Sequence, residues 1–171
     1  IMYQIFPDRF YNSGTPKANV PQDRKLHEHW GEQPDWKPDE RGIITNSDYF
    51  GGDLKGIEEK IPYLESLGVT CIYLNPIFEA HSTTGQYGGY SKIDPLLGTE
   101  ADFQHLCAAA KKRGMHVIVD GVFNHTGSDS IYFNREKRYP VEGAYNSQQS
   151  PFSSWYNFHP WPNQYDCWWN F

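Results

Sequence analysis

The sequence predicts an α/β fold built on a parallel sheet, in the chain order strand, helix, strand, helix, strand. Residues 51–78 and 98–123 repeat one design, in which a helical pattern ends at a glycine and an apolar strand follows at once. A strand-like segment at residues 1–10 precedes both. Such helical connections join parallel neighbours, and the crossovers are right-handed in nearly all sheets. We therefore expect a βαβαβ arrangement, with ligands at the carboxyl ends of the strands.

The opening segment, IMYQIFPDRF, starts as a strand and has neither an initiator Met nor a signal-like stretch. We accordingly expect the chain to be a piece of a longer protein. Residues 11–50 follow, rich in Pro, Asp, Asn and Gly and with little periodicity. Loops of that length inside a domain usually serve a function.

An amphipathic helix is predicted after this loop. Asp53 is a suitable N-cap, Gly68 a suitable stop, and Pro62 lies in between. Apolar residues recur at spacings of three and four, at Leu54, Ile57, Ile61, Leu64 and Leu67. The strand that follows, VTCIYLNPIF, is continuously apolar, which is typical of a strand covered on both faces.

The second unit repeats this pattern with a clearer start. Thr99 is the predicted N-cap and Asp102 completes a capping box, while Gly114 ends the helix. One face carries Phe103, Leu106, Cys107 and Ala110. The last strand is MHVIVDGVF.

Three polar residues follow each other closely at the end of this last strand. Counting from the two helix-ending glycines places Asp120 opposite Leu74, and Asn124 and His125 lie just beyond. Asp and Asn also serve as turn formers at strand ends, and a single His is often structural. Their combination at the carboxyl end of a parallel strand favours a functional site.

Composition limits the classes of partner. The chain has 171 residues, enough for one domain with a core, and a net charge of -6 with scattered Lys and Arg, which argues against nucleic acid. No apolar run reaches the length of a membrane span. Aromatic residues make up 16% of the chain, and their flat faces suit sugar rings as well as ordinary packing. Three cysteines, at 71, 107 and 167, lack metal-site spacing, and the first two fit small apolar packing.

The segment DGVFNH, Asp120 to His125, resembles the first signature region of the α-amylase family, glycoside hydrolase family 13. Three further stretches agree in order and context: MYQIFPDRFYN, GGDLKGI with YLESLGVTCIYLNPIF, and KIDPLLGT. The tail from residue 124, with SSWYNF and YDCWW, resembles the amylopullulanase and neopullulanase members. The resemblance covers almost the whole chain.

The resemblance implies a partial TIM (β/α)8 barrel. Residues 1–125 would supply strands one to three with their helices, as the N-terminal part of the catalytic domain, and residues 126–171 would start the inserted subdomain B. The nucleophilic Asp, the general-acid Glu and the transition-state-stabilising Asp of the family lie on the fourth, fifth and seventh strands. No catalytic residue is therefore expected before Phe171.

For this chain the resemblance implies substrate-positioning roles. His125 would hydrogen-bond the sugar at the cleavage subsite, Asp120 would support an Arg of the fourth strand, and Asn124 would orient the loop or touch a calcium ion. The family's stacking Tyr is assigned to Tyr87, with Tyr90 packing behind it, although the stretch HSTTGQYGGYSKIDP departs from the usual pattern.

The long loop also resembles a calcium-binding loop of the cyclodextrin-related members. Oxygens of Asn12, Asn19, Asp53 and the Gly51 carbonyl would be the ligands, since calcium takes six to eight oxygens from flexible loops. The alternative is that Asp53 only caps its helix and Asn12 only starts a turn.

The expected function is that of a fragment of a retaining α-glucan hydrolase, cleaving α-1,4 or α-1,6 bonds in starch, pullulan or maltooligosaccharides. A transglycosylase of the same family and a noncatalytic carbohydrate-binding protein remain the alternatives. The isolated chain is expected to be inactive, because retaining glycosidases need two carboxylates flanking one bond. Its open sheet edge favours self-association. Polymeric substrates favour a secreted or cell-surface location over the cytoplasm.

Overall fold

The computed structural model describes residues 1–17, 20, 22, 24–44, 47–79 and 90–167. The chain divides into two compact units. The first comprises Ile1–Glu79 and Ser91–Gly121, and the second comprises Ala80–Tyr90 and Val122–Phe171. The strands and α-helices all lie in the first unit: β1 (Met2–Ile5), β2 (Lys25–Leu26), β3 (Asp48–Tyr49), α1 (Leu54–Glu59), α2 (Ile61–Ser66), β4 (Cys71–Leu74), α3 (Glu100–Lys112) and β5 (His116–Val119).

The first unit is built on a three-stranded parallel sheet in the order β1, β4, β5. The connection from β1 to β4 contains α1 and α2, and the connection from β4 to β5 contains α3. The βαβαβ order predicted from the helix-glycine-strand pattern is therefore present.

The first helical segment is divided into α1 and α2, where the sequence pattern predicts one helix. Asp53 is the N-cap of α1, as predicted, and its carboxylate accepts a hydrogen bond from the amide of Gly56. The break falls at Lys60, two residues before Pro62. Proline has no amide hydrogen and its ring crowds the carbonyl four residues earlier, so the helix stops and a second one begins with Pro62 in its first turn.

Helix α3 follows its predicted design. Thr99 and Asp102 form the capping box, each side chain bonding the backbone amide of the other residue. Gly114 ends the helix with φ of 69°, a left-handed conformation that glycine adopts without steric cost. Leu106 and Ala110 are fully buried in the core, while Phe103 packs against it half-buried.

The two faces of the sheet have different surroundings. One face carries Ile5, Ile72 and Leu74, which are buried in the core together with residues of the helices. On the other face, Met2 is 60% exposed and Ile118 is 40% exposed. Within the described part of the chain the strands are thus covered on one face, whereas the apolar run predicts cover on both.

The register places Asp120 one residue later than predicted. Leu74 pairs with Val119, so Asp120 follows directly after β5. Two residues separate Gly68 from β4, but only Met115 separates Gly114 from β5. The prediction assumed that the same number of residues separates each glycine from the strand after it, and it is wrong by one residue.

The long loop contains a minimal sheet, and the second unit contains an aromatic core. β2 and β3 pair in parallel within the loop. In the second unit the ring of Phe133 packs against the rings of Tyr145, Tyr156, Phe158 and Tyr165.

The three cysteines are free thiols. None of the helices in the described ranges has the length and hydropathy that crossing a bilayer requires.

Candidate substrate-binding site

Asp120 lies at the carboxyl end of the sheet of the first unit. Its backbone amide donates to the carbonyl of Leu74 at 3.1 Å, which extends the pairing of β4 and β5 by one bond. Its carboxylate accepts a hydrogen bond from the phenol of Tyr73, and this bond, followed by desolvation, raises the pKa of Tyr73. Asp120 is therefore a half-buried acceptor held at the strand end.

A second polar pair lies beside it at the same ends of the strands. The Nε2 of Gln4, on β1, donates to the Oδ1 of Asn75, directly after β4, at 2.9 Å. Gln4 and Tyr73 face each other in the strand register. Sequence reasoning missed Gln4, Tyr73 and Asn75, although a glutamine within the apolar segment MYQIF and an asparagine directly after the strand CIYL were usable signals.

Asn124 and His125 belong to the second unit, where Asn124 lies in a turn with Phe123 and His125 follows it. Asn124 is exposed and His125 is half-buried. The next residue, Thr126, shares a hydrogen bond of 2.8 Å with the hydroxyl of Tyr156, whose pKa is raised by burial. The segment after His125 is thus anchored to the aromatic core of the second unit.

Tyr90 supports the same turn. Its hydroxyl donates to the carbonyl of Val122, and its ring lies 5.1 Å from the ring of Phe123. The predicted role of Tyr90 is to pack behind a tyrosine that stacks on sugar. The contacts above are all within the protein, so this role stays a prediction. Tyr87, the predicted stacking residue, lies outside the described residues.

The predicted calcium ligand Asp53 is enclosed by donors. It is 2% exposed. Its Oδ1 accepts from the amides of Gly56 at 2.7 Å and Ser13 at 3.4 Å. Its Oδ2 accepts from the hydroxyl of Ser13 at 2.8 Å and from the ammonium of Lys17. An ionised carboxylate has about four acceptor sites, so the capacity of Asp53 is used within the protein.

Of the other predicted ligands the structure describes Asn12 and Gly51, and these two with Asp53 offer fewer oxygens than the six to eight that calcium takes. The Oδ1 of Asn12 accepts from the amide of Gly14 at 2.8 Å. Gly51 adopts φ of 85°, and Asn19 lies outside the described residues. No group of three or more His, Cys, Asp or Glu within the described ranges is arranged to hold a metal. The described members of this donor set do not by themselves suit calcium, and calcium here stays a prediction.

A buried histidine in the long loop has no counterpart in the sequence predictions. The Nδ1 of His27 lies 2.9 Å from Glu32 and its Nε2 lies 3.0 Å from Asp48. Its ring stacks on Phe50 at 4.3 Å. The hydrogen bond with Glu32 is the main cause that raises the pKa of His27, and Asp48 adds to it. His27 thus links Glu32 to Asp48 within the loop.

Comparison with curated proteins gives relatives over the whole chain. The chain is 44% identical, over 193 aligned positions, to an amylopullulanase of Thermoanaerobacterium saccharolyticum, covering 100% of this chain and 15% of that protein. It is 38% identical to a cyclomaltodextrinase of Thermoanaerobacter pseudethanolicus, covering 95% of this chain and 25% of that protein. The chain therefore spans about a quarter or less of the length of these relatives.

Comparison with solved structures agrees. The type III pullulan hydrolase of Thermococcus kodakarensis superposes with a TM-score of 0.71 at 36% identity, covering 100% of this chain and 31% of that chain. The family described as "Alpha amylase, catalytic domain" matches residues 4–169. Because the match runs through both helix-strand units and the DGVFNH segment, the chain belongs to the α-amylase family, whose catalytic domain it matches.

Proposed function

We propose that the protein carrying this chain is a retaining glycoside hydrolase that cleaves α-1,4 or α-1,6 bonds of starch, pullulan or maltooligosaccharides. The observation that carries the proposal is the polar edge of the first unit, where Gln4, Tyr73, Asn75 and Asp120 gather at the carboxyl ends of three parallel strands. Ligands bind at this edge in α/β barrels. The names of the relatives, amylopullulanase and cyclomaltodextrinase, indicate α-glucans as the substrate class.

We further propose that the sheet is the first part of an eight-stranded barrel. Met2 and Ile118, on the face that points away from the helices, are 60% and 40% exposed. The interior of such a barrel is filled by side chains from all its strands, so further strands would cover these residues. Residues 126–171 would begin a subdomain inserted after β5, which accords with the aromatic core of the second unit.

In this proposal the chain positions substrate and the reacting carboxylates lie elsewhere in the protein. Retaining hydrolysis needs a nucleophile and an acid about 5 to 5.5 Å apart. His125 would bind the sugar at the scissile bond, and Asp120, held by Tyr73, would orient a cationic group from a neighbouring strand. Orientation of this kind is worth several kcal/mol to catalysis.

The test is product analysis with the full-length protein. Pullulan consists of maltotriose units joined by α-1,6 bonds, so α-1,6 cleavage releases maltotriose and α-1,4 cleavage releases panose or isopanose. The anomer formed first, read by NMR, should be α if configuration is retained. Asp120→Asn is the matched variant, which removes the charge and keeps the shape.

Each alternative has its own outcome. Binding of maltoheptaose without release of reducing ends would indicate a carbohydrate-binding protein and refute the proposal. Products longer than the substrate would indicate transglycosylation. Initial release of the β-anomer would refute the retaining mechanism while leaving the family assignment intact.

A further inference from the structure

The loop between β1 and α1 contains a buried ion pair that sequence reasoning did not foresee. The ammonium of Lys17 contacts the Oδ2 of Asp53, and the two side chains are 7% and 3% exposed. Burying a charged ammonium costs several kcal/mol unless a counter-charge and hydrogen bonds compensate it. A lysine enclosed in this way therefore marks a position where the loop needs a positive charge.

The position of that charge matters for the start of the helix. Asp53 is the N-cap of α1, and its Oδ1 bonds the amide of Gly56 at 2.7 Å. The same carboxylate holds Ser13 through the hydroxyl at 2.8 Å. Lys17 thus neutralises the carboxylate that ties residues 13–17 to the first turn of α1.

Calcium at the same place would face two obstacles. It needs six to eight oxygens at 2.3 to 2.6 Å. The four acceptor sites of Asp53 are taken by Ser13, Lys17 and Gly56, and Asp53 is the one carboxylate in contact with Lys17 among the described residues. A divalent ion would have to displace the Lys17 ammonium and some of the hydrogen bonds that cap α1. In return it would gain only one negatively charged ligand, the carboxylate of Asp53.

We propose that the Lys17 ammonium is the built-in cation of this loop, so that residues 12–17 and the start of α1 hold their conformation without calcium. The proposal concerns the cation of the loop and is independent of the glycosidase activity. Lys17 acts as a structural residue here, neither touching substrate nor moving a proton.

The first experiment measures access to Lys17 in the full-length protein with its natural sequence. An amine-acetylating reagent is added for increasing times, and each lysine is followed by peptide mass spectrometry, with and without calcium chloride. Lys25 is the matched control, since it also pairs with an aspartate but its side chain is 54% exposed. Because a buried amine reacts only after local opening, Lys17 should react about tenfold slower than Lys25 under both conditions.

The second experiment asks whether calcium acts through Asp53. Thermal unfolding is followed in a chelator and in calcium chloride, for the natural protein and for Asp53→Asn, which keeps a helix-capping oxygen and removes the charge. The proposal expects the same calcium-induced shift of Tm in both proteins, since any such shift would arise at other sites. A shift that Asp53→Asn abolishes would overturn the proposal.

The third experiment removes the cation itself. Lys17→Met keeps an unbranched apolar chain and leaves a buried unpaired carboxylate, so Tm should fall by several degrees, whereas Lys25→Met at an exposed pair should change little. Equal behaviour of the two variants would overturn the proposal, as would acetylation of Lys17 at the rate of Lys25. If either Lys17→Met or Asp53→Asn does not fold, the acetylation of Lys17 and Lys25 in the natural protein, with and without calcium, still decides the question.

Discussion

Substitution of Gly56 by alanine tests how closely the first turn of α1 packs against the backbone of Tyr11, in the loop after β1. Gly56 lies within α1, where alanine is the better helix former by about 0.8 to 1.0 kcal/mol. Helix propensity alone thus predicts that Gly56→Ala stabilises the protein. The structure predicts the opposite sign.

The opposite sign follows from the space around Gly56. A β-carbon there would lie 2.1 Å from the carbonyl oxygen of Tyr11 and 2.8 Å from its carbonyl carbon. Both are backbone atoms, which cannot move aside as a flexible side chain can. Overpacking costs about 1 to 3 kcal/mol, and a contact this short with a backbone oxygen falls in the upper part of that range, about 2 to 3 kcal/mol, which exceeds the propensity gain. The net change should be a loss of about 1 to 2 kcal/mol, or a Tm lower by about 2 to 8 °C in a domain of this size.

The assay is reversible denaturant unfolding combined with a thermal scan of the same samples. Gly31→Ala is the matched control, because a β-carbon at Gly31 meets nothing within 4 Å and the residue lacks a positive φ. That variant should change the free energy of unfolding by less than about 0.5 kcal/mol. If Gly56→Ala proved as stable as the natural protein, or more stable, the close contact with Tyr11 would be refuted.

Three further predictions concern the site and the loop. Asp120→Asn should lower activity on maltooligosaccharides by about ten- to a hundredfold with little change in Tm, and full activity would refute its positioning role. His125→Ala should lower kcat/KM by a similar factor with the fold intact by circular dichroism, whereas unchanged activity with a strongly lowered Tm would make the residue structural. The third concerns pH. Because the pKa of His27 is raised above its ordinary value of 6.5, its contribution to stability is complete below that value and is lost as the pH rises through the folded-state pKa. The Tm of the natural protein should therefore fall over this range relative to His27→Gln, and identical pH profiles would contradict the contacts of His27.

The helix ends are the part of the fold that local sequence predicts best. Asp53, Thr99 with Asp102, and the glycines at 68 and 114 act within one turn of the chain, and the structure confirms the caps and the left-handed glycines. A cap depends on a side chain and amides two or three residues away, so its information is contained in a short window. The order of strands and helices followed from the succession of these local patterns along the chain.

Register and helix continuity were predicted less well. The one-residue offset of Asp120 depends on how many residues connect each helix end to the strand that follows. That number is fixed by the pairing of β4 with β5 and cannot be read from either segment alone. The division of α1 from α2 had a visible cause in Pro62, but whether a proline kinks or breaks a helix depends on where the apolar residues must pack. Here both short helices bury their apolar residues in the same core.

By itself, the sequence determined the family, the βαβαβ order, the helix caps and the position of Asp120 close to a strand end, because motifs and periodicity are properties of neighbouring residues. Tertiary structure alone decided which distant groups meet. Tyr73 bonds Asp120, Lys17 neutralises Asp53, and His27 joins Glu32 to Asp48. The physical reason is that a buried charge or hydrogen-bonding group must have a partner close to it in space. The chain contains several residues of the same chemical type that could be that partner. Only the packing of the sheet and of the long loop selects among them.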